Sequence, residues 1–113
     1  MPKRASAMTK RAVRGSRTGR PIMALLDLLG RRWSLRILWE LREQKLTSRA
    51  LRTACDEASP TVLQARLSEL REAGLVELEP GSGYGMTVLG RELHENFLPL
   101  HRFAERWSQL KAK

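Results

Sequence analysis

The chain has 113 residues, 42% of them apolar, and carries 21 Lys and Arg against 12 Asp and Glu for a formal charge of +9. That is one domain, near the small end of what buries its own core, where a second subunit often adds burial. A single Cys excludes an intrachain disulfide framework and argues against a Cys-based zinc cluster, and no apolar run nears the ~20 residues of a membrane span.

The charge is uneven. Residues 1–20 hold Lys3, Arg4, Lys10, Arg11, Arg14, Arg17 and Arg20 with no acid, leaving 14 bases against 12 acids in the rest. With Pro2, Gly15 and Gly19 and almost nothing to bury, this stretch reads as a disordered basic tail. It reads as an arm that follows phosphates, or as a solubilising leader or mis-called start; an organelle transit peptide fits less well, for want of a clear amphipathic stripe. The domain proper is expected over residues 21–113. A basic, metal-free domain points to polyanions, with nucleic acid first and an anionic membrane surface second; double-stranded DNA and no membrane is the partner expected.

Pro21 to Leu29 reads as a short helix with Pro in its first turn and Gly30 behind it. It is apolar nearly all round, so it must be covered on more than one side. Ser34, Ile37, Leu38 and Leu41 form a helical stripe after Arg31-Arg32-Trp33, and Trp39 falls off it. Lys45-Leu46 is a linker or a one-bridge strand. Thr47 and Ser48 are N-cap candidates for a helix through Cys55, with Leu51 inward and Arg49 and Arg52 outward.

Ser59-Pro60 marks the clearest boundary, an N-cap serine before a proline at the first helical position. The helix from Thr61 to Ala73 should end at Gly74, with Leu63, Leu67 and Leu70 in the core. Its opposite face is Thr61, Gln64, Ala65 and Ser68, small or polar and free of acid until Glu69 and Glu72. Leu75 to Glu79 alternates like a half-buried strand. Pro80 to Gly83 is a turn, and Tyr84 to Met86 can return antiparallel. Thr87 caps a last helix from Val88 to about Lys111, with Leu93, Phe97, Leu100, Ala104 and Trp107 on one face. Pro99 should kink or restart it. The fold class is therefore mainly α with a small β-hairpin, in the order of a winged helix-turn-helix.

Four segments, in order, resemble the bacterial HxlR-type winged helix-turn-helix transcriptional regulators, relatives of the MarR group. They are Arg20-Pro21 with Ala24 to Gly30 and Arg31-Arg32-Trp33-Ser34; Ser59 to Leu70 running into Ala73-Gly74-Leu75-Val76; Tyr84-Gly85-Met86-Thr87-Val88-Leu89-Gly90-Arg91; and Pro99 with Trp107. The resemblance covers about residues 20–108. It implies a homodimer on a roughly two-fold operator, joined through the first and last helices. Ile22, Leu25, Leu26, Leu29, Phe97, Leu100, Ala104 and Trp107 are then the candidate interface. Three departures stand out. Arg20 replaces the cysteine that senses oxidants in some members, the wing is short, and Arg36 and Trp39 stand where the pattern has an aliphatic and a polar residue.

Recognition needs side chains that reach base edges near a helix N-terminus. Gln64 can pair bidentately with adenine, Thr61 can touch a thymine methyl or a phosphate, and Ser68 and Ala65 continue that face. Ser59 and the first free N–H groups suit a phosphate oxygen. Arg66 can snorkel to a phosphate or brace the domain, and Arg49 and Arg52 are phosphate candidates. Tyr84 sits at the wing, either as hairpin packing or as a DNA contact. The alternative reading is a protein- or RNA-interaction module without sequence readout. A small-molecule effector, in a dimer-interface pocket lined by the first helix and Trp107, is open in either case.

Cys55 reads as a buried small hydrophobe. His94 and His101, two turns apart on one helix, read as surface or interface residues rather than ligands of one metal. No nucleophile elbow, phosphate loop or metal signature occurs. No enzyme activity, cofactor or metal is expected, and the location expected is cytoplasmic.

Overall fold

The computed structural model describes residues 19–112. The basic tail read from the sequence lies, apart from Gly19 and Arg20, outside them. Among the described residues five helices and one hairpin follow in order: α1 (Pro21–Leu29), α2 (Ser34–Glu40), α3 (Ser48–Ala54), α4 (Pro60–Glu72), β1 (Val76–Glu79), β2 (Gly83–Met86) and α5 (Val88–Ala112). Among the described residues no helix is long and apolar enough to cross a membrane.

α1 begins at Pro21, whose missing N–H is one of the groups a first turn leaves unbonded. At its end the Gly30 N–H bonds the Leu26 carbonyl at 2.8 Å, in an ordinary right-handed conformation (φ −77°). The left-handed residue of this junction is Trp33 (φ 78°), at the cap of α2. The α2 stripe is as expected: Ser34, Ile37, Leu38 and Leu41 are all buried. The Ser34 hydroxyl has no hydrogen-bond partner among the described residues.

Thr47 caps α3, its Oγ1 accepting from the Ala50 N–H at 3.1 Å. Ser59 occupies the cap position of α4 but makes no side-chain cap bond. α4 closes at Ala73, and Gly74 follows at φ 81°, the left-handed position where a residue without Cβ is least strained.

The hairpin pairs Val76 with Met86 and Leu78 with Tyr84. Leu46 adds one bridge to Tyr84, through N–H to carbonyl bonds of 2.9 and 2.8 Å. β1 departs from the expected alternation: Val76 is buried, but Leu78, nearer the wing tip, is 41% exposed. Thr87 ties the hairpin to α5, donating to the Gly74 carbonyl at 2.6 Å and accepting from the Gly90 N–H at 3.0 Å. A Cβ on Gly90 would fall 2.2 Å from the Leu75 carbonyl oxygen, so this close approach of α5 to the strand admits only glycine.

α5 runs through Pro99 as one helix, so of the kink or restart expected there the restart does not occur. The core gathers Ile37, Leu41, Leu51, Leu63, Leu67 and Leu70, each under 2% exposed, around the α2–α4 layer. Packing of this kind fixes α4 rigidly and leaves its other face outside.

Candidate nucleic-acid interface

α3, the turn after it and α4 form the helix-turn-helix. The turn is held on two sides. Arg36 of α2 donates to the Ala54 carbonyl at 2.6 Å and lies 3.3 Å from Asp56, while its Nε meets Glu40 at 2.7 Å. The Glu40 hydrogen bond is the main influence that raises the Arg36 pKa. Arg52 donates to the Ala58 carbonyl at 3.0 Å and pairs loosely with Glu57. Asp56 and Glu57 are both left-handed (φ 56° and 59°), which this bracing sustains.

α4 is clamped from behind. Arg66 donates to the Arg32 carbonyl at 3.0 Å and to both Glu69 oxygens at 2.8 Å. Arg31 bridges Glu69 and Asp27, each at 3.1 Å. Partial burial opposes the Arg31 charge, but Glu69 and then Asp27 outweigh it and raise its pKa. Of the two roles open to Arg66, the bracing one is what the geometry shows.

Thr61, Gln64, Ala65 and Ser68 are exposed together along the front of α4, with Ser59 at its start. Leu63 is the first N–H of α4 bonded back to the helix start, to the Ser59 carbonyl, and the N–H groups of Thr61 and Val62 make no such backbone bond among the described residues. A polar groove between α3 and α4 is bordered by Ser48, Arg49, Thr53, Pro60 and Gln64. Arg49 is exposed beside it, whereas Arg52 is partly committed to the turn.

Tyr84 is 7% exposed, so its ring is hairpin packing rather than surface. Its hydroxyl reaches Gln64, donating to Oε1 at 3.5 Å, the long end of hydrogen bonding. That link from β2 to the α4 front face gives no sequence signal. Lys45 pairs with Glu79 on the wing, which carries no base of its own.

The apolar faces of the first and last helices are largely uncovered. Ile22, Leu26, Leu100 and Trp107 are each 53–54% exposed, Ala104 is exposed, and Leu25 and Phe97 are half-buried. Leu29, expected in the same interface, is instead 4% exposed in the chain's own core. Phe103 and Leu110 extend the exposed row on α5 at helical spacing, beside the expected face through Ala104. Within the single chain, an apolar pocket of α1 is lined by Ala24, Leu25 and Leu28 with Leu89 and Leu93 of α5 and does not include Trp107. Another apolar cleft lies between α2 and α5.

Cys55 is fully buried, and burial pushes its thiol pKa up, against an opposing pull from Arg36. Among the described residues no cluster of His, Cys, Asp and Glu could hold a metal ion.

Comparison with known proteins agrees with this geometry. An HTH-type transcriptional regulator of Synechocystis is 29% identical over 93 residues, covering 77% of this chain and 69% of that protein. The quinone-bound YodB structure from Bacillus subtilis superposes with a TM-score of 0.70 at 25% identity, over 75% of this chain and 96% of that one. A MarR-family transcriptional regulator from Enterococcus faecalis gives 0.69 at 28% identity, over 80% and 88%. The model of the HxlR-like helix-turn-helix family matches residues 28–112. With a winged helix-turn-helix in place and most of its length matched, the chain belongs to the HxlR-like helix-turn-helix family of transcriptional regulators.

Proposed function

We propose that the protein is a homodimeric, sequence-specific DNA-binding regulator that lays α4 in the major groove of a roughly palindromic operator. The observation that carries this reading is the α4 front face. Thr61, Gln64, Ala65 and Ser68 are exposed and free of acid, on a helix whose back is fixed by the Arg66, Glu69 and Arg31 network. Rigidity behind and short polar groups in front suit base-edge readout. Gln64 reads a base, with Tyr84 orienting its amide from beneath. Thr61, Ser59 and the free N–H groups take phosphate oxygens. Arg49 adds a backbone contact, and Arg52 serves mainly to hold the turn.

The dimer forms through α1 and α5, where Ile22, Leu26, Leu100, Phe103 and Trp107 would otherwise remain in water. The basic tail supplies sequence-independent attraction in place of the base-poor wing. A regulator of this kind works in the cytoplasm, at the nucleoid. Gln64→Ala tests the reading: operator affinity should fall by about 1–3 kcal/mol, with discrimination relaxed at one base pair. Unchanged affinity for both operator and scrambled DNA would refute the role of this face.

A further inference from the structure

α4 has two flanks. Gln64 and Arg66 are two residues apart, about 160° around the helix axis by the shorter way, so they look to opposite sides of the front face. The Gln64 flank holds Arg49, across the polar groove from α3. The Arg66 flank holds the loop between α1 and α2, because Arg66 donates to the Arg32 carbonyl at 3.0 Å. Arg32 is thus fixed beside α4 through its main chain, and its side chain takes no part in that bond.

Arg31, Arg32 and Arg36 border a shallow hollow with Trp33 and Leu35, and no Asp or Glu lines it. Two of the three guanidinium groups are spent. Arg31 is paired with Asp27 and Glu69, and Arg36 with Glu40, Asp56 and the Ala54 carbonyl. Arg32 has no carboxylate partner among the described residues. It is exposed, with its guanidinium carbon 5.5 Å from the centroid of the Trp33 ring. Trp33 packs against the core and is held at φ 78°, a conformation that a bulky residue seldom adopts. The loop therefore fixes a ring in an unusual place and stands one unpaired cation beside it.

We infer that Arg32 holds a phosphodiester oxygen of the DNA strand on the Arg66 flank of α4, opposite the strand met by Arg49. The inference rests on the DNA-binding reading above and adds the second wall of the groove. A helix with its side chains is about 10–12 Å across, and the major groove is about 12 Å wide. A helix seated there has a sugar–phosphate wall along each flank. Arg49 serves one wall, and the wing, which carries no base, offers no cation to the other. A guanidinium suits that place because its paired N–H groups match two phosphate oxygens. Phosphate contacts carry no sequence information, so Arg32 sets register and affinity, and base choice stays with α4.

The test titrates the full chain onto random-sequence duplex DNA and onto a duplex it selects from a random pool, from 50 to 200 mM salt. Arg32→Gln should weaken binding to both by the same factor. The slope of log affinity against log salt should become shallower by about 0.9 per chain, so that the variant loses about 3.5-fold less affinity per chain over that range than the wild type. Arg32→Lys keeps the cation and should restore the slope. Arg102→Gln removes the same charge from an exposed site on α5 and should leave the slope alone. Circular dichroism should not change in any variant, since the Arg66 bond is to the Arg32 main chain. A wild-type slope in Arg32→Gln, or an equal change in Arg102→Gln, overturns the contact while the DNA-binding reading stands. Weakening on the selected duplex alone would make Arg32 a base reader and overturns it as well. A wild-type chain that binds neither duplex at 50 mM salt refutes the DNA-binding reading and the contact with it.

Discussion

Trp107→Ser should loosen the dimer about a hundredfold while leaving each chain folded. Trp107 is 54% exposed and carries Lys111 over its ring at 5.3 Å. A tryptophan offers roughly 250 Å², so some 135 Å² of it is left in water, worth about 3 kcal/mol if fully covered. A two-fold interface removes two such rings, up to about 7 kcal/mol. Rim positions are seldom dried completely, and the exposed Leu100, Phe103 and Leu110 on the same helix keep part of the contact. About half that ceiling, roughly 3 kcal/mol, converts to ~100-fold in the dimer constant. Sedimentation equilibrium over a wide concentration range measures it, with circular dichroism as the folding control, since no core side chain is touched. A dimer constant equal to that of the wild type would refute the placement of the interface, and a wild-type chain still monomeric at about 100 µM would refute the dimer itself.

Three further outcomes follow from particular residues. Glu57→Gly should raise stability by about 0.5–1 kcal/mol, because it relieves a left-handed conformation and gives up only an exposed pair with Arg52; a lower melting temperature would contradict this. Burial raises the Cys55 thiol pKa, so the folded chain holds that proton where the unfolded chain has lost it. Stability from this source is full below the ordinary thiol value of about 8.5 and declines as pH rises above it towards the folded pKa. Cys55→Ala should flatten the alkaline decline in a melting series, and the native thiol should react slowly with a disulfide reagent; fast native reaction would show the thiol to be accessible. Deleting residues 1–18 removes six bases and should make the salt dependence of DNA binding shallower by up to about 5 per chain; an unchanged slope would show that the tail does not touch phosphates.

Much of the fold was legible because local signals agreed with one another. Pro21, Thr47, Pro60, Gly74 and Thr87 mark helix ends that the chain uses, and the leucines of α4 repeat with helical spacing. The α4 front face was legible for the same reason, as the side left over once Leu63, Leu67 and Leu70 are turned inward. What escaped the sequence depends on contacts distant along the chain. The Arg66 brace needs Arg32, 34 residues away, and the Tyr84 link to Gln64 spans 20. No periodicity encodes either. Leu29 and Trp107 show the limit on apolar residues: composition says they must be covered, but only packing says whether the cover is the chain's own core or another surface. The ring cluster of Trp39, His94 and His101 was half visible, since the seven-residue histidine spacing puts both on one face, yet only the crossing of α2 and α5 sets Trp39 beside them.

The central claim, that α4 reads sequence for a two-fold protein, is tested most directly by selecting bound DNA from a random pool with the full chain at fixed salt. The account predicts an enriched, roughly palindromic site whose half-sites lie about one helical turn, 10–10.5 base pairs, apart. It also predicts that Gln64→Ala selects sites degenerate at one symmetric pair of positions. A pool that binds but shows no enriched sequence, or enrichment of a single unrepeated site, would contradict it.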